Sequence, residues 1–69
     1  MLKNMCESNV YVRINGKEEL LIKDVISLVP KEDTYIFIDI TGRKYEIENV
    51  IIEFIDFISH KIVLKRKVL

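Results

Sequence analysis

The sequence is short of the residues that usually announce chemistry: 69 residues contain one cysteine, one histidine, one proline, two glycines and no tryptophan. A single cysteine cannot close an intramolecular disulfide, which points away from a disulfide-stapled secreted scaffold. Also missing are a Gly-rich phosphate loop, a Cys-x-x-Cys pair, a His-Glu-x-x-His motif and a Gly-x-Ser-x-Gly elbow, so the chain is not expected to be an enzyme. Positive charge is not in excess, because Lys+Arg and Asp+Glu number 11 each, and long-range attraction to phosphate backbones or acidic lipids is weak. The longest apolar runs are three to five residues, as in Leu20-Leu21-Ile22 and Val25 to Val29 interrupted by Ser27, far below the ~20 residues of a spanning helix. Met1-Leu2-Lys3-Asn4 lacks the apolar core of a secretion signal. A cytoplasmic protein with no membrane segment is expected.

What is present is the composition of a folded domain: 49% hydrophobic and 32% charged residues exclude a disordered linker. The length allows one domain, residues 1–69, with a thin core, and small domains lacking disulfides gain stability by pairing with a copy of themselves. A homodimer is the default expectation.

From Asn9 the residues alternate, with Val10, Val12 and Ile14 on one face and Tyr11 and Arg13 on the other, which is the period of a half-buried strand. Asn15-Gly16 supplies the two positive φ angles of a type I′ hairpin turn, and a returning strand is expected over Glu18–Lys23. Val25–Val29 is β-branched, stops at Pro30 and reads as a third, short strand. After the charged turn Lys31-Glu32-Asp33, Thr34–Ile40 alternates with apolar groups on both faces, as a central strand does. Thr41-Gly42-Arg43 is a turn, and Lys44–Glu48 another strand. Residues 47–58 fit helical and strand spacing alike. Their wealth of Ile, Val and Phe and their lack of Ala, Leu or Gln select strand. Ser59-His60-Lys61 turns the chain into a last strand, Lys61–Lys65. The expected fold is all-β: a small antiparallel barrel of about six short strands, SH3-like in size, over residues 9–65, with an N-terminal arm (1–8) and a tail (66–69).

Few residues can carry chemistry. The carboxylates fall in turns and on outward positions, and His60 sits in a predicted turn. Arg43, Lys44, Lys65, Arg66 and Lys67 could meet phosphates while Tyr11, Tyr35, Phe37 and Tyr45 stack bases, which makes a small RNA-binding module the alternative reading. Cys6 stands apart because it lies outside any apolar alternation, between Met5 and Glu7-Ser8-Asn9. A displayed thiolate is a strong soft ligand suited to square-planar Ni(II) or Cu(II), and a two-fold dimer would bring two copies to one axis.

The run from Met5-Cys6-Glu7-Ser8 to Val12, followed by Gly16-Lys17-Glu18-Glu19 and Asp24-Val25, resembles the CooT family of small nickel-binding proteins. That family is accessory to carbon monoxide dehydrogenase maturation, and archaeal relatives are labelled predicted RNA-binding proteins. The resemblance implies a metallochaperone that holds Ni(II) at a homodimer interface through Cys6 and serves a metalloenzyme client. In the family the cysteine follows the initiator methionine. Here Met1-Leu2-Lys3-Asn4 intervenes and separates Cys6 from the terminal amine, whereas a start at Met5 would restore that donor.

Overall fold

The computed structural model describes residues 7–67. Six strands follow one another: β1 (Ser8–Ile14), β2 (Lys17–Lys31), β3 (Thr34–Asp39), β4 (Lys44–Glu48), β5 (Val50–Asp56) and β6 (Lys61–Arg66). They form one sheet in the order β4-β3-β2-β1-β6-β5. Asn15 and Gly16 join β1 to β2 with φ of 52° and 78°, both positive as a type I′ turn demands. The 47–58 segment is strand as far as Asp56, divided at Asn49 between β4 and β5, and Phe57 and Ile58 begin the β5–β6 turn.

β2 departs from expectation. In place of two short strands, one runs from Lys17 to Lys31, because the break between them is only a bulge. Asp24 takes φ 57°, and the register slips between Ser8 and Tyr11 against β1 and between Val25 and Ser27 against β3. A bulge bends a strand without ending it, so the first half of β2 ladders with β1 and the second with β3. Asn9 holds the bend: its Oδ1 accepts the Asp24 N–H at 3.1 Å, while the Asp24 carbonyl accepts the Ile40 N–H at 2.8 Å. Pro30 is tolerated near the end of β2. Lys31 and Thr34 close the two-residue loop, which makes Pro30 and Tyr35 the next pair, the wide kind that exchanges no N–H···O bonds.

Two features correct the antiparallel barrel. β1 and β6 run parallel, with Asn9 opposite Lys61 and Arg13 opposite Lys65, because the β5–β6 hairpin returns along the side of β1 that β2 leaves open. The sheet is also not closed. β4 ends at Glu48 on one edge and β5 begins at Val50 on the other, so Asn49 alone, at φ 60°, crosses between edges. Two trans peptides reach at most about 7.6 Å. The sheet is therefore rolled until its edges meet at this corner, but no ladder joins β4 to β5, and the Asn49 carbonyl is taken by the Lys67 N–H at 2.9 Å.

Rolling gathers Val10, Ile22, Val25, Phe37, Val50, Ile62 and Leu64 into the buried cluster. On β3 the inward face is Tyr35, Phe37 and Asp39; Ile36 and Ile38 are half-buried and Ile40 is exposed. β6 is covered on both sides, since Val63 is as fully buried as Leu64 although it points away from it. The face that Val63 shares with Tyr11 and Arg13 is overlaid by ion pairs. Arg13 Nε donates to Glu53 at 2.8 Å and its Nη2 to Glu18 at 3.2 Å, Lys61 Nζ donates to Glu18 at 2.7 Å, and the Lys61 ammonium lies 5.3 Å from the Tyr11 ring centre. One network thereby links β1, β2, β5 and β6. The two sheet edges differ: β4 presents Lys44, Glu46 and Glu48, charges that discourage edge pairing, whereas Ile51, Phe54 and Ile55 of β5 are exposed.

Leu64→Ala removes a side chain with no solvent exposure and should lower the unfolding free energy by about 2–5 kcal/mol. Urea denaturation followed by circular dichroism checks it; a loss below about 1 kcal/mol would mean the cluster collapses around the gap.

Candidate functional site

Cys6 lies outside the described residues, so the site is approached from the strand that follows it. β1 begins at a cleft of about 280 Å³ lined by Glu7, Asn9, Asp24, Ser59 and His60. Three parts of the chain deliver these residues: the entry to β1, the bulge of β2 and the β5–β6 turn. Asn9 is the hub, because its N–H donates to the His60 carbonyl at 3.0 Å while its side chain accepts from Asp24. Asp24 and His60 both hold the left-handed conformation, φ 57° and 56°, which residues other than glycine adopt sparingly. Asp56 shapes the turn: its Oδ1 accepts the Ser59 N–H at 3.2 Å and the Ile58 N–H at 3.1 Å, and these bonds, the first above all, hold its carboxyl below the ordinary range.

Within the cleft, Oε1 of Glu7 is buried with no hydrogen-bond partner among the described residues, a carboxylate oxygen still in want of a donor or a cation. Those residues contain no group of three or more His, Cys, Asp or Glu placed to hold a metal ion. Next along the β5–β6 turn, Phe57 and Ile58 have 81% and 91% of their surface exposed, and Phe57 lines a largely apolar groove with Val25, Ile26, Leu28, Ile55 and Ile62.

Residues 5–65 match the family model described as CO dehydrogenase accessory protein CooT, a span that takes in Met5 and Cys6. The chain belongs to the CooT family. It is also similar to the crystal structure of a candidate CooT from Carboxydothermus hydrogenoformans, at 28% identity and a TM-score of 0.82, over 91% of this chain and 100% of that one. A search of curated proteins returned no match. CooT is an accessory family for CO dehydrogenase and not itself an enzyme, in line with the missing catalytic motifs. Among the described residues no helix is long and apolar enough to cross a membrane.

The basic and aromatic residues of the RNA reading are dispersed. Arg43 and Lys44 stand at the start of β4, whereas Lys65, Arg66 and Lys67 lie by Asn49, beyond its other end. Phe37 is buried, Tyr35 packs against the core with its ring centre 6.5 Å from that of Phe37, the Arg43 guanidinium lies 5.2 Å from the Tyr45 ring centre, and Tyr11 is under Lys61.

Sequence reasoning missed Asp39, the one buried charged residue described, at 8% exposure. Its Oδ1 accepts from the Thr41 hydroxyl at 2.6 Å, the Thr41 N–H at 2.9 Å and the Arg43 N–H at 3.1 Å, and its Oδ2 accepts from the Tyr45 hydroxyl at 2.8 Å. The Thr41 hydroxyl bond foremost, with the others, outweighs the cost of burial and holds the carboxyl at about 2. The signal was available, since Asp-x-Thr-Gly is the composition of an Asx turn. With both its oxygens engaged, Oδ1 by its own turn and Oδ2 by Tyr45 of β4, Asp39 is structural.

A carboxyl held lower in the folded than in the unfolded chain stabilises the fold above the unfolded pKa, near 3.9, and that stability is lost as pH falls toward 2. Urea midpoints should therefore drop between about pH 4 and 2 in the native protein, and in Tyr45→Phe, which lacks one donor, the drop should be smaller and should level off at higher pH; an unchanged limb would exclude the hydroxyl as a contributor. At the cleft, Asn9→Ala should cost about 1 kcal/mol and speed hydrogen exchange of the Asp24 amide above that of its neighbours, as read by nuclear magnetic resonance.

Proposed function

We propose that this chain is a Ni(II)-binding accessory protein, or metallochaperone, that holds the ion at a homodimer interface through Cys6 of each subunit and passes it to a metalloenzyme client. The observation that carries the reading is the extent of the CooT match, which starts at Met5 and so includes the Met5-Cys6 pair. The accessory role toward CO dehydrogenase is consistent with nickel as cargo. Chemistry supports the same assignment, because thiolate is a soft donor that favours a tetragonal late transition metal over the hard cations that compete with it in a cell.

One chain offers one thiolate, and the described residues add no ready-made group of three ligands, so sharing by two copies is the arrangement that doubles the soft donors. Exposed Phe57 and Ile58, close to where the arm joins β1, supply apolar surface of the kind that pairing buries. The Glu7 Oε1 that lacks a hydrogen-bond partner among the described residues belongs to the residue next to Cys6 in the sequence. Binding and release, with no bond made or broken in a substrate, is the whole of the chemistry.

Titration of reduced protein with Ni(II) should produce thiolate-to-metal charge-transfer absorption that saturates near one ion per two chains, and native mass measurement should find a dimer. Cys6→Ala should lose the absorption altogether. Absorption that survives this substitution overturns the assignment.

A further inference from the structure

A second cleft, of about 520 Å³, opens at the other end of β1, between the Asn15-Gly16 turn and the end of β6. Arg13, Lys65 and Arg66 line it with a single carboxylate, Glu53, so positive charge is concentrated here in a chain whose net charge is zero. Arg13 and Lys65 are direct neighbours across the parallel ladder, a like-charge pairing that costs stability unless an anion lies between them. Arg13 is answered by Glu53 and Glu18, but among the described residues Lys65 and Arg66 make no ion pair. Ile14 supplies an apolar wall, and the turn leaves the mouth open, since a side chain built at Gly16 would meet nothing within 4 Å. No aromatic ring lines the cleft, and single-stranded nucleic-acid binders use such rings as stacking platforms.

We propose that this cleft docks an acidic peptide segment of a protein partner, its carboxylates meeting Lys65 and Arg66 and an adjoining apolar side chain resting on Ile14. The unpaired cations supply charge complementarity, and the apolar wall selects a peptide over a free inorganic anion. The seven residues of β1 hold this cleft roughly 20 Å from the Asn9 end, so a partner seated here leaves the cleft at that end open. The docking site stands whether or not nickel is the cargo.

The test uses the full chain, labelled with nitrogen-15, and a short poly-glutamate peptide carrying one leucine. Amide shifts should concentrate at Arg13–Gly16, Lys65 and Arg66, affinity should fall with added salt, and Lys65→Glu with Arg66→Glu should weaken binding by roughly tenfold or more. The milder pair Lys65→Gln with Arg66→Gln, which keeps the strand ends polar and uncrowded, should give an intermediate loss. Shifts centred elsewhere, or equal affinity in the charge-reversed protein, overturn the proposal. So does single-stranded RNA that binds these residues more tightly than the peptide, or inorganic phosphate that displaces the peptide at equal concentration.

Discussion

The bend in β2 is the constraint on which the molecule depends. Fifteen residues of straight strand would run to roughly 50 Å, longer than the 46 Å of the whole molecule, so a strand of this length has to turn. It turns at Asp24, where a left-handed residue and two register slips let one strand serve two ladders. Asn9 pays for part of this strain by bonding the Asp24 amide. The same asparagine anchors the β5–β6 turn through the His60 carbonyl, so one side chain and its own backbone N–H set both the curvature of the sheet and the walls of the cleft where β1 begins. Without that curvature Phe37 of β3 could not share a core with Ile62 and Leu64 of β6.

Local signals in the sequence carried most of the element boundaries. Asn15-Gly16 and Gly42 mark turns whose φ angles are positive, and the Ile, Val and Phe content of the 47–58 segment correctly outweighed its helical spacing. What escaped was the information held in pairs of distant residues. Nothing local distinguishes Lys23-Asp24-Val25 as a bulge from a turn, because the deciding bond comes from Asn9, and nothing in Asn49 announces that it spans the two edges of a rolled sheet. Pro30 misled for a related reason: it truncates a strand only where a ladder bond is due, and that depends on the parity of its partner. On β3 alternation left both faces apolar; Tyr35, Phe37 and Asp39 face inward, with Tyr45 and the Thr41 turn supplying the hydrogen bonds of Asp39.

The candidate functional residues were legible to different degrees. A lone thiol has no spacing pattern, so Cys6 gained meaning from its resemblance to a family, and the family match extends across it. The clefts at the two ends of β1 had no sequence signature, since each draws on turns and strands far apart in the chain: Glu7 with Asp24 and His60 at one end, Arg13 with Lys65 and Arg66 at the other. Charge sums to zero over the chain, yet acidic Glu7 and Asp24 line the cleft at one end of β1 and Arg13, Lys65 and Arg66 outnumber Glu53 in the cleft at the other, a distribution that composition averages away.

The parallel pairing of β1 with β6 has a consequence for synthesis. Asn9 emerges from the ribosome long before Lys61, its ladder partner, and contacts between such distant positions form slowly because the intervening loop must first be ordered. The β1–β2 hairpin can close early, but Asn9 has no His60 carbonyl to meet until the β5–β6 turn has been translated. The opening strand thus waits on the closing one, and a nascent or truncated polypeptide cannot display the finished cleft.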